Sequence, residues 1–227
     1  MTTVKLGLND YLEFNKYRAI NLINIGRMLA KHGPLDMHRD LKRYPWIWDL
    51  LEVNSLLKRL VEGRSGNYRK AVAIVLGGVV DGVIELLEGI FYRSDRLILH
   101  EDLLPPEIFR AMGLQPWVPE LLGILLPMLV PDTMQKYLDA AESEGIPPDI
   151  CSLPRATIGM ALKNVFPEAL AIVSSNMPCD GGMSSYTVIA RQMKKPTYWV
   201  DIPFDFKNER ALDYFAGELK VMIAWLE

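Results

Sequence analysis

The amino-acid sequence predicts an α/β protein, in which a parallel sheet with helices on both faces follows an α-helical amino-terminal region. The sheet is predicted by two almost continuously apolar runs, Ala169–Ser175 and Thr197–Ile202, of the kind found in strands buried on both faces. A helical pattern, Ser184–Met193, separates the two runs, as in a β-α-β unit. Apolar residues at helical spacing dominate the earlier part of the chain. We therefore expect a helical region over residues 1–95 and an α/β domain over residues 96–227.

The helical region is divided by residues that interrupt helices. Gly33-Pro34 and Pro45 separate helical patterns in the first 60 residues, and Tyr68–Tyr92 predicts one long helix. That helix contains Gly77-Gly78 within the segment VLGGVVDG. The segment has neither the glycine spacing of a dinucleotide-binding loop nor the lysine of a P-loop, so we do not expect it to bind phosphate.

The α/β domain is predicted from short apolar runs that alternate with helical patterns. Its earlier elements are a strand at Leu97–Leu99, a helix at Pro106–Met112 and a strand at Gln115–Val118. The last helix, Asn208–Glu227, keeps apolar residues to its final turn and lacks the glycine or asparagine that commonly ends a helix. We therefore expect the protein to continue beyond this helix.

Charge argues against a nucleic-acid partner and against export. The chain of 227 residues has 25 basic and 28 acidic residues, a net charge of −3, and no cluster of five or six basic residues. Lys5, Asp10 and Glu13 lie where a secretory signal needs an apolar core, so we expect a cytoplasmic protein.

The longest apolar stretches are too short to cross a membrane. Ala71–Val80 and Leu121–Val130 fall below the ~20 residues that a spanning helix needs, and Pro127 interrupts the second stretch. We expect both stretches to be buried helices, and we expect no membrane partner.

The two cysteines lie in loops marked by proline or glycine. Cys151 follows Pro147-Pro148-Asp149 and precedes a helical pattern, while Cys179 follows a predicted strand and precedes Gly181-Gly182 and a helix. A helix amino terminus favours the thiolate, which is the form that binds metal. Ligands of open α/β sheets bind beyond the carboxyl ends of the strands. The cysteines are therefore candidate metal ligands, although inert burial stays open for each of them.

Four segments resemble the successive motifs of the 2-hydroxyacyl-CoA dehydratase and benzoyl-CoA reductase family, which includes the 2-hydroxyglutaryl-CoA dehydratase D-component. They are LLPPEIFRAMGLQPW, DICSLPRATIGMAL, ALAIVSSNMPCDGG and PTYWVDIPFD. The resemblance extends from about Leu103 to the carboxyl end, and it resembles the amino-terminal half of a family subunit.

The resemblance implies Rossmann-like or flavodoxin-like domains and a 4Fe-4S cluster. Three cysteines hold the cluster in that family, and the first two correspond to Cys151 and Cys179. A third cysteine is not in this chain. The resemblance therefore implies that a missing half carries it, either because the chain is a piece of a longer protein or because the companion half is a separate chain.

The resemblance also implies an oxygen-sensitive lyase of anaerobic metabolism with several partners. These are an acyl-CoA substrate, a homologous second subunit and an ATP-dependent activator protein that donates one electron. The electron reaches the thioester carbonyl through the cluster and forms a ketyl radical anion, after which water is lost from carbons two and three.

Three further residues have expected roles in this reaction. Glu107 matches the family's acidic position and is the candidate catalytic acid/base or positioning residue, with a structural role at its helix amino terminus as the alternative. Arg155 and Asp180 are candidates for substrate binding, with surface ion pairs as the alternative. We expect ordinary roles for the three histidines, His32, His38 and His100.

Two other functions stay open at this point. One is a related activity on the same scaffold, either reduction of an aroyl-CoA of the benzoyl-CoA type or reduction by a double-cubane cluster. The other is a cluster-free α/β scaffold or binding module, in which the cysteines are plain residues. We expect the fragment alone to be inactive under each of the enzymatic readings.

Overall fold

The computed structural model describes residues 8–50, 52–205 and 207–227. These residues fall into two compact units. The first unit contains the described residues up to Tyr92 together with Met128–Val130, and the second contains Arg93–Pro127 and Pro131–Glu227. Lys5, one of the charges that argues against an export signal, lies outside the described residues.

The first unit is helical, as the sequence predicts. Gly33, with a φ of 85°, ends the first helix in a conformation that favours glycine, and Pro34 then opens the second helix. The long helix predicted before residue 93 is confirmed, although it begins slightly earlier than expected. The elements are α1 (Leu8–His32), α2 (Pro34–Arg43), α3 (Trp46–Leu50), α4 (Val53–Val61) and α5 (Gly66–Tyr92).

A buried histidine joins three helices of this unit. His32 Nε2 lies 2.8 Å from Asp40 Oδ2, and the imidazole ring stacks on Phe91 with 4.0 Å between the ring centroids. The expectation that Ala71–Val80 is a buried helix is wrong for Ile74 and Val75, which are exposed. Helix α5 packs against α1 and α4, and these contacts leave Ile74 and Val75 uncovered.

The second part of the chain alternates strands and helices, so the predicted α/β class is confirmed. A 3-10 turn (Ser94–Arg96) precedes the first strand. The elements are β1 (Leu97–His100), α6 (Pro106–Ala111), β2 (Gln115–Trp117), α7 (Glu120–Leu129), α8 (Gln135–Ser143), α9 (Ser152–Leu162), β3 (Ala171–Ser175), α10 (Asp180–Met193), β4 (Thr197–Val200) and α11 (Glu209–Leu226).

The strands form a parallel sheet in the order β2-β1-β3-β4, flanked by helices. In the register Ile98 lies beside Ala171, and Ser175 lies beside Val200. The carboxyl ends of β1 and β3 therefore lie at the same edge of the sheet, which is where open α/β sheets bind ligands. One hydrophobic cluster packs β1, β3, β4, α6 and α11 together, and its buried members are Ile98, Leu104, Phe109, Ala171, Val173, Val200, Ile202 and Met222.

Two boundaries differ from the sequence expectations. Helix α10 begins at Asp180 rather than Ser184, so Cys179 directly precedes its first turn. Helix α7 runs through Pro127, where we expected an interruption. This proline lies in the last turn, where the missing N–H removes only one helical hydrogen bond. Within the described ranges, no helix has the length and apolarity needed to cross a bilayer.

Candidate functional site

Both cysteines occupy the position that immediately precedes a helix. Cys151 is the N-cap of α9, as the sequence predicts, and Cys179, which was expected in the loop between a strand and the next helix, is the N-cap of α10. Both cysteines are free and exposed. The expected alternative of two cysteines buried as small apolar residues does not fit this exposure. Each thiol instead lies at a helix end, where the free backbone N–H groups carry a partial positive charge.

Helices α9 and α10 pack against each other, and Gly181 lies where their amino termini meet. A methyl group placed on Gly181 would lie 3.7 Å from Cys179 Sγ, 3.6 Å from Ile150 Cγ2 and 3.1 Å from Pro154 Cγ. Because Ile150 and Pro154 flank Cys151 in the chain, this glycine separates the Cys179 thiol from the segment that carries the other cysteine. The two cysteine loops therefore approach each other at a position where a side chain would be tightly packed.

The Cys151 loop is held by a charged side chain. Arg155 Nη1 donates to the carbonyl of Pro148 at 2.7 Å and lies 3.0 Å from Glu142 Oε1 on α8. Helices α8 and α9 also approach closely. Gly159 on α9 lies so near the backbone of Tyr137 on α8 that a side chain at position 159 would overlap it. Arg155 thus ties the loop before the cysteine to the helix that supports α9.

The other residues that the sequence suggested lie on exposed helix ends. Asp180 is in the first turn of α10, next to Cys179, and Glu107 is in the first turn of α6; both are exposed. Arg155 Nε is buried and has no hydrogen-bond partner among the described residues. The substrate-binding roles of Arg155 and Asp180, and the catalytic role of Glu107, stay predictions.

The Cys179 loop is held by neutral side chains at the end of β3. Ser175 Oγ lies 3.0 Å from Glu101 Oε2 and 3.0 Å from the carbonyl oxygen of Met177, and it accepts the Met177 N–H at 3.2 Å. Asn176 binds both backbone groups of Ile202, accepting its N–H at 2.8 Å and donating to its carbonyl at 3.2 Å. The loop is therefore fixed at the last residue of β3 and at the residue that follows it.

A buried polar cluster lies beside this loop, and the sequence analysis missed it. Tyr186 Oη lies 2.6 Å from Glu120 Oε2 and 2.6 Å from the carbonyl of His100. His100 Nδ1 lies 2.8 Å from the carbonyl of Glu101. Two positional signals were available, because Glu101 directly follows β1 and Glu120 closely follows β2, at the edge where parallel strands place ligand-binding groups.

Burial perturbs the titration of every member of this cluster. Burial and a hydrogen bond with Asp102 raise the pKa of Glu101 to about 8, and burial raises the pKa of Glu120 to about 7. Burial also lowers the pKa of His100 to about 4 and raises the pKa of Tyr186 well above its usual value. At neutral pH the side chains of Glu101, His100 and Tyr186 are therefore largely uncharged, while Glu120 is close to its pKa.

The donor set fits part of an iron–sulfur site. Two exposed thiols at adjoining helix ends are suitable ligands, and the nearby glycines leave space around Cys179 Sγ. In the part of the chain that the structure describes, no three His, Cys, Asp or Glu side chains converge as a metal site. Further ligands would have to come from elsewhere.

Comparison with known proteins identifies the family. No curated protein matches the chain. The family model described as 2-hydroxyglutaryl-CoA dehydratase, D-component, matches residues 103–227, which is more than half of the chain. The matched range begins just before α6 and includes both cysteines, Glu107, Arg155 and Asp180. The resemblance found in the sequence motifs is thus confirmed, and the chain belongs to the 2-hydroxyglutaryl-CoA dehydratase D-component family.

Proposed function

We propose that this chain is part of a 2-hydroxyacyl-CoA dehydratase in which Cys151 and Cys179 bind a 4Fe-4S cluster. The observation that carries the proposal is the meeting of two exposed cysteines' loops at Gly181, each cysteine preceding a helix. In this proposal the third cysteine ligand of the family lies outside this chain, whose sequence contains two cysteines. Family membership supplies the reaction class.

A 4Fe-4S cluster held by Cys151 and Cys179 would supply the one-electron chemistry at the thioester carbonyl of an acyl-CoA that precedes loss of water from carbons two and three. The chain's own residues hold and shield the site. The amino termini of α9 and α10 stabilise the two thiolates, and Gly181 keeps the loops close together. An ATP-dependent activator protein delivers the electron, and a homologous second subunit completes the complex.

Three exposed or partly exposed residues act on the substrate in this proposal. Asp180, beside Cys179, orients polar groups of the acyl-CoA, and Glu107 acts as acid/base or positions the substrate. Arg155 already binds Glu142 and Pro148. Its contribution to substrate binding in this proposal is its positive charge beside the Cys151 loop.

The cluster is tested in anaerobically purified protein that contains this chain together with its companion half or subunit. We expect iron and acid-labile sulfide, and a paramagnetic signal after reduction. Cys151→Ser and Cys179→Ser are each expected to lose most of the iron, while Ser94→Ala, at an exposed turn away from the cysteines, keeps it. Iron-free wild-type protein that is folded and assembled would contradict the proposal and favour the cluster-free scaffold.

The reaction is tested separately with the activator protein and ATP. We expect dehydration of a 2-hydroxyacyl-CoA to an enoyl-CoA, followed by mass spectrometry of the thioester. Turnover of benzoyl-CoA without dehydration would instead identify an aroyl-CoA reductase. Reduction of small molecules without any acyl-CoA turnover would identify a double-cubane reductase.

A further inference from the structure

The hydroxyl of Ser175 makes three polar contacts, which constrain where the protons lie. It accepts the Met177 N–H, and it lies 3.0 Å from both Glu101 Oε2 and the Met177 carbonyl oxygen. A hydroxyl has one proton, so it donates to one of the latter two partners only. A carbonyl oxygen cannot donate. All three contacts are hydrogen bonds only if the carboxyl of Glu101 carries a proton and donates to Ser175, which then donates to Met177.

The other oxygen of Glu101 agrees with this assignment. Oε1 accepts the N–H of Leu103 at 3.2 Å, which leaves Oε2 to carry the proton; the hydrogen bond between Glu101 and Asp102, which raises the pKa of Glu101, also requires a proton on one of the two acids. The hydroxyl of Ser175 then accepts two hydrogen bonds and donates one, which is its full capacity.

The same proton count applies independently to Tyr186. Its hydroxyl lies 2.6 Å from the carbonyl of His100, which can only accept, and 2.6 Å from Glu120 Oε2. Both contacts are hydrogen bonds only if Glu120 is protonated and donates to Tyr186. Two buried carboxyl groups at one edge of the sheet therefore share one pattern, in which an acid donates to a hydroxyl and the hydroxyl donates to a backbone carbonyl.

We infer that Glu101 is a positioning residue for Cys179: its neutral carboxyl donates to Ser175 and thereby fixes the Met177 backbone two residues before the cysteine. Glu101 touches neither cysteine and acts through Ser175 alone. The role of Cys179 as a cluster ligand rests on the proposed function. The chain of hydrogen bonds from Glu101 through Ser175 to Met177 does not.

The surroundings of Glu101 favour the neutral form. Its side chain is almost fully buried, and the groups around it are Asp102 on the same loop, His100 on β1, Glu120 on α7 and Tyr186 on α10. None of these supplies a positive charge at neutral pH, because burial lowers the pKa of His100 to about 4. The raised pKa of Glu101, about 8, agrees with the proton count.

Amide hydrogen exchange at Met177, followed by NMR across pH 5.5–9, tests the inference on the full chain. Opening of the loop would release the proton of Glu101 to water, so the protection factor is expected to fall by as much as about tenfold per pH unit up to about pH 8, and then to level. The protection factor is corrected for the intrinsic exchange rate at each pH. The Ile172 amide, which donates to Pro196 within the sheet, reports global opening in the same sample.

Three variants separate proton donation from space filling. Glu101→Gln keeps a donor at every pH, so protection at Met177 is expected to be independent of pH. Glu101→Leu has a similar size and cannot donate, so protection is lost throughout the range. Ser175→Ala removes the hydroxyl and is expected to match Glu101→Leu, which keeps the test available if the leucine variant does not fold. Glu144→Gln, at an exposed end of α8, is the matched control and follows wild type.

The results distinguish this inference from the proposed function. Two outcomes would overturn the positioning role: protection at Met177 that is independent of pH in folded wild type, or identical behaviour of Glu101→Gln and Glu101→Leu. Neither outcome would affect the result of the iron analysis. Iron-free wild type with the expected exchange profile would overturn the cluster and keep the hydrogen-bond chain. Loss of iron in Glu101→Leu, with retention of iron in Glu101→Gln, would show that the hydrogen bond from residue 101 also supports iron binding at Cys179.

Discussion

The two cysteine loops are held in place by different chemistry. The loop of Cys151 is tied to α8 through a charged pair, Arg155 and Glu142, whereas the loop of Cys179 is tied to β1 through the uncharged contacts of Ser175 and Glu101. An ion pair weakens as salt screens it. A hydrogen bond from a neutral acid weakens as pH rises. The comparison teaches that a single site can depend on salt through one loop and on pH through the other.

The largest expected effect is on the pH dependence of stability. Glu101 and Glu120 have folded-state pKa values of about 8 and about 7, above their unfolded values, so the folded state binds more protons. The stability that these protons provide is present at low pH and is lost as pH rises through the folded pKa values. His100, whose pKa is lowered, opposes this trend below about pH 6.5. We therefore expect a loss of roughly 2–3 kcal/mol between pH 6.5 and 9.

Chemical denaturation at a series of pH values measures this loss. The double variant Glu101→Gln with Glu120→Gln is expected to flatten the profile between pH 6.5 and 9. A wild-type profile that is already flat in this window would show that neither acid is neutral in the folded protein, and the contrast between the two loops would disappear.

The second effect concerns the glycine at which the loops meet. Gly181→Val is expected to cost about 2 kcal/mol of unfolding free energy, because the new side chain must displace Pro154 and Ile150. It is also expected to reduce iron binding at both cysteines. Gly217→Val, on α11 with no atom within 4 Å of the added Cβ, is the control and should change stability by only a few tenths of a kcal/mol. Equal effects of the two variants would mean that the loops do not depend on this contact.

The third effect isolates the charged anchor. Arg155→Met is expected to cost about 1 kcal/mol, since it removes the hydrogen bond to Pro148 and a pair whose acidic partner is substantially exposed. Thermal unfolding at low and high salt measures the change, and the difference from wild type should shrink as salt is added. Arg210→Met, at the exposed start of α11, serves as the control. A salt-independent cost would assign the role of Arg155 to packing instead.

The smallest effect distinguishes the cysteines from ordinary helix caps. Neither Cys151 nor Cys179 makes a side-chain hydrogen bond to its helix, and serine is a preferred residue at this position. Each Cys→Ser change is therefore expected to stabilise the metal-free chain by about 0.5 kcal/mol while weakening iron binding. Thermal unfolding of apoprotein checks the sign, and a destabilised apoprotein would show that the thiols themselves support the loops.

The order of elements could be read from the sequence because it depends on local patterns. The apolar run before Ser175 predicts β3, and the prolines before Cys151 predict that a helix begins there, whereas the expected start of α10 at Ser184 lies four residues after its observed start at Asp180. Local patterns also limited these predictions. The exposure of Ile74 and Val75 depends on which neighbours cover α5, and spacing along the chain does not contain that information.

The buried acids could not be predicted for a related reason. Glu101 and Glu120 have the same side chain as the exposed Glu107, and only the tertiary environment separates them. Their protonation follows from distances to hydroxyl and carbonyl oxygens that are far apart in sequence. The site residues named from the family motifs were within reach of the sequence, whereas the contacts that support them were not.

The side chain of Asn176 has a mechanical consequence. By binding both the N–H and the carbonyl of Ile202, it repeats with an amide side chain the pairing that a further backbone step would provide beyond the ends of β3 and β4. Two hydrogen bonds thereby join the segments that follow β3 and β4. A displacement of the segment after β4 would therefore also move the start of the loop that leads to Cys179, although Cys179 itself does not contact that segment through these hydrogen bonds.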